Sequence, residues 1–222
     1  MHLIKGTIKG SPFIGIHALA TDSYCLVPKG IYKKEALKLK EALELELIKA
    51  QIGATSLIGC LAAGNKKGLV VSSIIEEKEL TELKSFGLKV KVIEGYSALG
   101  NLIALNDNGL LLSSLLSEGE KKAIKEFFGL PAIEVSYGVN ALIGSSTIAT
   151  NNGFIVHPKT EKEDFEKIKK TLKVTGIRTT ANYGDPFVRN SIIANNFGAF
   201  VGLNTSGPEL VRIDEGLSGG FE

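Results

Sequence analysis

A register limits what this chain can become. An apolar residue is followed by glycine at positions 15, 59, 100 and 144, and nine positions beyond each lies Tyr24, Gly68, Gly109 or Gly153. A fifth copy, VRNSIIANNFG, places Arg189 in the first slot and Gly198 in the second, so successive copies are 44, 41, 44 and 45 residues apart. A period of this length marks modules that cannot bury their apolar faces alone and must pack against neighbours of their own kind.

Each copy reads as a hairpin. The turns NKKG, NDNG, TNNG and NNFG combine Asn, which tolerates left-handed backbone, with Gly, which adopts it freely; the first copy departs from them with TDSY. After each turn comes a short apolar run, CLVP, LVVSS, LLLSS, FIVHP or AFVGL, suited to a buried strand. Helical spacing follows. It places Leu80, Leu83 and Phe86 on one face, then Ile124, Phe127 and Phe128, then Phe165, Ile168 and Leu172. Gly87 and Gly129 stand where glycine ends a helix, and in the first copy the spacing turns from helical to alternating near Leu43. Alternating segments at 88–95 and 132–138 predict a further strand. The unit is therefore strand, strand, helix, strand.

The last copy runs through SGPELVRIDEGLSGGFE without its final strand, while HLIKGTIKG, residues 2–10, has strand character ahead of the first copy. This predicts that the N-terminal segment completes the fifth unit and closes a ring without exposed sheet edges. The fold expected is α/β (α+β), a five-fold pseudosymmetric β/α propeller closed by the N-terminal strand, with residues 1–222 as a single domain.

The formal charge of +2 from 26 basic and 24 acidic side chains lacks the excess that drives nonspecific attachment to phosphate backbones, so any nucleic-acid contact is expected to be local. Cys25 and Cys60 lie in apolar runs, which suits reduced thiols and leaves a Cys25–Cys60 bridge open. No run approaches the ~20 apolar residues of a membrane span, and MHLIKGTIKG has no signal-peptide core. A soluble cytoplasmic protein is expected. His2 and His17 have no acidic or cysteine neighbours at ligand spacing, His157 begins a loop, and neither a GxxxxGK[ST] nor a GxGxxG after a strand occurs. No metal, no cofactor and no catalytic residue are expected.

A strand, strand, helix, strand unit repeated fivefold resembles the pentein architecture, and two functions follow from that resemblance. Guanidine-modifying penteins, hydrolases and amidinotransferases, attack an amidine carbon with a cysteine near the C-terminal end. The last 160 residues here contain no cysteine, which disfavours an enzyme. The stretches SALGN, VHPKT, GLNTSGPEL, AGNKKGLVV, and IG followed by TDSYCLV together resemble the archaeal and eukaryotic translation initiation factor 6 family over essentially the whole chain. That resemblance implies a noncatalytic, monomeric factor on the intersubunit side of the large ribosomal subunit, near an L14-type ribosomal protein and the sarcin-ricin loop of rRNA. There it would block joining of the small subunit and act in subunit maturation. The chain stops soon after the fifth copy, as archaeal members do.

By the repeat geometry, Ser56, Leu57, Gly100, Asn101, Asn140 and Arg189 gather at one end of the ring and the Asn-Gly turns at the other. SALGN ties the first end to the expected ribosomal contact. Gly100 and Leu57 also have a packing reading. Glu209, Arg212, Asp214 and Glu215 form a further candidate patch; Lys66 and Lys67 read most simply as a solvated turn.

Overall fold

The computed structural model describes residues 1–136 and 141–219, which fold as five three-stranded sheets, each belonging to one repeat. In module 3 the first strand, Ile103–Leu105, pairs antiparallel with Leu110–Leu112, which pairs in parallel with Ala132–Glu134 across the long helix Glu118–Phe128. Modules 1, 2 and 4 repeat this with the long helices Lys33–Leu43, Glu77–Ser85 and Lys162–Leu172. In module 5 the strand Gly198–Gly202 takes its parallel partner from the other end of the chain, His2–Gly6, with His2 opposite Gly198. The long helix of module 5 is Gly207–Leu217.

Only residues 2–6 of the predicted N-terminal strand are strand; Ile8 and Ser11 instead bridge across a tight turn with Lys9 and Gly10 in left-handed backbone. Strand 88–95 shortens to Val90–Ile93, and 132–138 to Ala132–Glu134, with residues 137–140 outside the described part.

The apolar runs are buried on both faces, and period-2 alternation explains where each side chain goes. Leu110 and Leu112 enter one core with Ile124 and Phe128, whereas Leu111 enters the next with Phe154, Ile168 and Leu172. Phe200 lies with Cys25, Leu39 and Leu43, while Ala199 and Val201 lie with Ile213 and Leu217. Every core is thus filled by one long helix and by two neighbouring sheets, and the core between modules 5 and 1 has the same composition as the rest. No module owns a core of its own.

Helix faces follow the predicted spacing except in module 2, where Leu83 is buried but Leu80 only partly so, and Phe86 caps its helix and is half exposed. Gly87 and Gly129 end their helices at φ +80° and +59°, as expected, but Glu44 and Lys173 hold the corresponding left-handed positions in modules 1 and 4. Cys25 and Cys60 are free thiols. Among the described residues no helix is long and apolar enough to cross a membrane.

Candidate functional site

The glycines of the two slots have different jobs, and apart from Gly68, which stands at φ +157°, neither job is the conformational freedom expected from the turn sequences. Gly109, Gly153 and Gly198 do not adopt left-handed backbone. Each is pressed against the last turn of the next module's long helix, where a Cβ would collide with the carbonyl of Thr171, Gly216 or Ala42. The turns are closed instead by the side chain that opens them. Asn106 Oδ1 accepts from the N–H groups of Asn108 (2.9 Å) and Gly109 (3.1 Å), Asn195 does the same for Phe197 and Gly198, and Thr150 Oγ1 does so for Asn152 and Gly153. The Nδ2 of Asn106 then reaches into module 4, to Thr150 O and Leu172 O, both at 2.9 Å. In module 1, Tyr24 takes the glycine slot and donates its hydroxyl to Gly68 O in module 2 (3.0 Å).

At the opposite end, each first-slot glycine opens a short helix: Ile14–Ile16, Ile58–Leu61, Leu99–Leu102, Ile143–Ser146, and in module 5 Val188–Ser191. A methyl on Gly59 would strike Gly15 O, on Gly100 Gly59 O, on Gly144 Gly100 O, and on Gly15 the carbonyl of Arg189. The five short helices therefore stack around an axis at backbone contact. Arg189 breaks the glycine pattern and turns inward. Its Nη1 donates to Gly59 O (2.7 Å) and Gly100 O (3.2 Å), and its Nη2 to Ala62 O (3.5 Å), across the axis from its own module. It lies on the wall of an axial channel formed by the first strands of all five modules. The residue as a whole is half-buried, but burial of the guanidinium pushes its pKa down to about 10, so it remains protonated at neutral pH.

The loops that lead into the short helices share a device that the sequence reading missed. Twenty residues after each first slot stands an acid: Glu35, Glu79, Glu120, Asp164 and Glu209. Each glutamate sits at the third position of its long helix and reaches back to the loop entering its own module. Glu35 accepts from the N–H groups of Lys9 (2.8 Å) and Gly10 (3.1 Å), Glu79 from Gly53 (2.7 Å) and Ala54 (2.8 Å), Glu120 from Tyr96 (3.0 Å), and Glu209 from Tyr183 (3.2 Å) and Gly184 (2.8 Å). Burial pushes the Glu209 carboxyl up, yet the N–H groups of Ser206 and Gly184 and the hydroxyls of Ser206 and Thr180 outweigh it and hold the pKa at about 2. Glu120 is likewise lowered: burial opposes ionisation, and the Ser117 hydroxyl with the N–H groups of Tyr96 and Ser117 overcomes it. In module 4 the shorter Asp164 pairs with Lys167 at 3.5 Å. The spacing of twenty was the readable signal.

These loops, the short helices and the N-termini of the long helices make one end of the molecule. Of the twelve exposed large hydrophobic side chains among the described residues, eight stand there. Phe13 and Leu57 cap short helices, Tyr32 caps a long one, Tyr96 and Tyr183 ride on loop tips, and Ile74, Leu115 and Leu203 lie between strand and long helix. Of the predicted site residues, Leu57 is 38% exposed, and Ser56 is partly exposed while its carbonyl lies 3.1 Å from His17 Nδ1. The Asn101 side chain is partly exposed and makes no hydrogen bond among the described residues. Gly100 is buried between short helices, Arg189 turns to the axis, and Asn140 lies outside the described residues. Among the described residues no cluster of His, Cys, Asp and Glu could hold a metal ion.

Five sheets in pseudosymmetric array define the pentein fold, and DDAH from Pseudomonas aeruginosa, in a complex with citrulline, is similar in structure at a TM-score of 0.50 over 94% of this chain and 74% of that one, with 15% sequence identity. The family is narrower: residues 3–216 match the eIF-6 family, and the chain belongs to it. Translation initiation factor 6 of Pyrococcus abyssi is 35% identical over 98% of this chain and 99% of its own length. The protein of that name from Methanocaldococcus jannaschii is 38% identical over 97% of each.

Proposed function

We propose that this protein is a noncatalytic translation factor that docks its loop end on the intersubunit side of the large ribosomal subunit and so prevents the small subunit from joining. The observation that carries this reading is the gathering, on that end, of eight of the twelve exposed large apolar side chains among the described residues. Exposed apolar surface concentrated in one place marks an interaction site. An interface of ~800 Å² per partner fits on it. Ser56, Leu57 and Asn101 belong to the contact, against a protein of the L14 type with rRNA of the sarcin-ricin region at the margin. Gly100 and Arg189 set the shape of the face without touching the partner. The factor acts as a cytoplasmic monomer and accompanies maturation of the subunit. The thiols favour no catalytic role: burial pushes Cys25 up to about 12 and also raises Cys60, which Arg189 lowers in part.

The test is sedimentation with separated ribosomal subunits. The protein is expected to travel with the large subunit and to suppress joining; Asn101→Arg is expected to weaken both while leaving the melting temperature unchanged. Unaltered cosedimentation of that variant would move the contact elsewhere. Near-neutral charge further predicts a shallow dependence of binding on salt, and a slope equivalent to many released counterions would instead make rRNA the principal partner.

A further inference from the structure

Among the described residues, Tyr183 is the most exposed of the large hydrophobic side chains, at 79%. It stands at the tip of the loop entering module 5, where Asn182 (φ +45°) and Tyr183 (φ +61°) are the one consecutive pair of non-glycine residues in left-handed backbone among the described residues. Such backbone is costly for a side chain bearing a Cβ, and it persists where the surroundings enforce it.

They do enforce it. Glu209 takes the N–H groups of Tyr183 and Gly184 and the hydroxyl of Thr180 (2.8 Å). Asn182 is tied on both sides: its N–H donates to Thr205 Oγ1 (3.2 Å), and its Nδ2 to Pro12 O (3.0 Å) and Ser191 Oγ (2.7 Å). The result is an aromatic ring held in water on a rigid, strained tip, within the face that gathers the apolar surface. In the free protein the strain brings no packing in return.

Resting on the docking reading above, we infer that Tyr183 is the anchor of that face, seating its ring in an apolar pocket of a ribosomal protein whose rim carries Lys or Arg. A tyrosine loses little side-chain freedom on burial, and a preorganised aromatic is the type of residue that dominates an interface. Charge decides between protein and RNA. The loop TTANYGDPF contains no Lys or Arg and carries Asp185, and the ionised Glu209 lies directly beneath the tip. A phosphate backbone would meet two carboxylates, whereas a basic rim would be attracted by them.

Full-length protein carrying Tyr183→Gly, Tyr183→Phe or p-benzoylphenylalanine at position 183 is titrated onto purified large subunits. Glycine relieves the left-handed strain, so Tyr183→Gly is expected to melt no lower than wild type and yet bind roughly tenfold or more weakly. A role confined to stability predicts no such opposition. Tyr183→Phe is expected to bind as wild type, and irradiation to crosslink position 183 to a ribosomal protein. Tyr183→Gly binding as tightly as wild type, or crosslinks confined to rRNA, would overturn the inference while leaving the docking reading standing. Failure of wild type itself to cosediment would instead remove the docking reading and this anchor with it.

Discussion

At the scale of single residues, glycine acts here by absence of bulk. Replacing Gly100 by Ala drives a methyl into the carbonyl of Gly59, which belongs to a neighbouring short helix and cannot swing aside. Overpacking of this kind costs about 1–3 kcal/mol, and urea denaturation is expected to register it; Gly30→Ala, with open space and ordinary backbone, should stay within about 0.5 kcal/mol of wild type. Glu209 makes a second prediction. Its folded pKa of about 2 lies below the ordinary 4.5, so its contribution is complete above about pH 4.5 and is lost as the pH falls toward 2. Acid melts should therefore show wild type losing stability through that window, whereas Glu209→Gln starts lower at neutral pH and loses less on acidification. The sequence identified Arg189 as the odd member of the glycine set but not its role. Spacing places a residue on an element, and where a long side chain turns depends on which carbonyls lie unfilled across the axis, in modules far away in the chain.

At the scale of elements, strand order, helix faces and the N-terminal closure were legible because they depend on local pattern: a short apolar run in LLLSS, helical spacing in EKKAIKEFF, and a missing strand at one end matched by a spare one at the other. The turn chemistry was misread for a physical reason. Asn next to Gly suggests left-handed backbone, but at Gly109 and Gly153 the deciding contact is with the helix of the following module, which no local window contains. The second residue of each turn carries a further pattern. Asp107 N–H donates to Asn151 Oδ1 (2.9 Å), Asn151 N–H to Asn196 Oδ1 (2.9 Å), and Asn196 N–H to Asp22 Oδ1 (2.8 Å), while Lys66 N–H points to Asp107 Oδ1 (3.3 Å). This chain of bonds around the channel mouth lacks one link, because Lys66 has no acceptor to offer Asp22. Asn151 matters most: its Nδ2 donates to Asp22 and Asp107, both at 2.8 Å, and so keeps two carboxylates compatible. Asn151→Ala removes both donors and one acceptor, and thermal melts are expected to show a loss of about 1.5–3 kcal/mol.

At the scale of the whole molecule, the placement of the cores determines how it unfolds. In an open array, each repeat contributes its own stability plus one interface term, and terminal repeats can fray separately. Here each core is built by two neighbouring modules, and the segment His2–Gly6 makes module 5 a neighbour of module 1, with Gly6 packed against the Phe200 ring. Opening any boundary exposes the apolar side of two sheets at once, so no module can leave without uncovering the next. Phe200→Ala tests this. The ring is fully buried between modules 5 and 1, and its removal should cost about 3–5 kcal/mol. The chain has no tryptophan, and among its described tyrosines Tyr24 alone is buried, in the core shared by modules 1 and 2, so the change in tyrosine fluorescence on unfolding reports chiefly from there, whereas far-UV circular dichroism reports from all five long helices and sheets. A closed array predicts that both signals fall at one lowered midpoint in the variant, as in wild type. Were the modules independent, circular dichroism would show an early step from modules 5 and 1 while the remaining helices persisted to the wild-type temperature. The face proposed to dock is formed by loops and short helices from all around the axis, so its geometry exists only while the whole ring is shut, and the proposed subunit binding should disappear over the same temperature range as the fold.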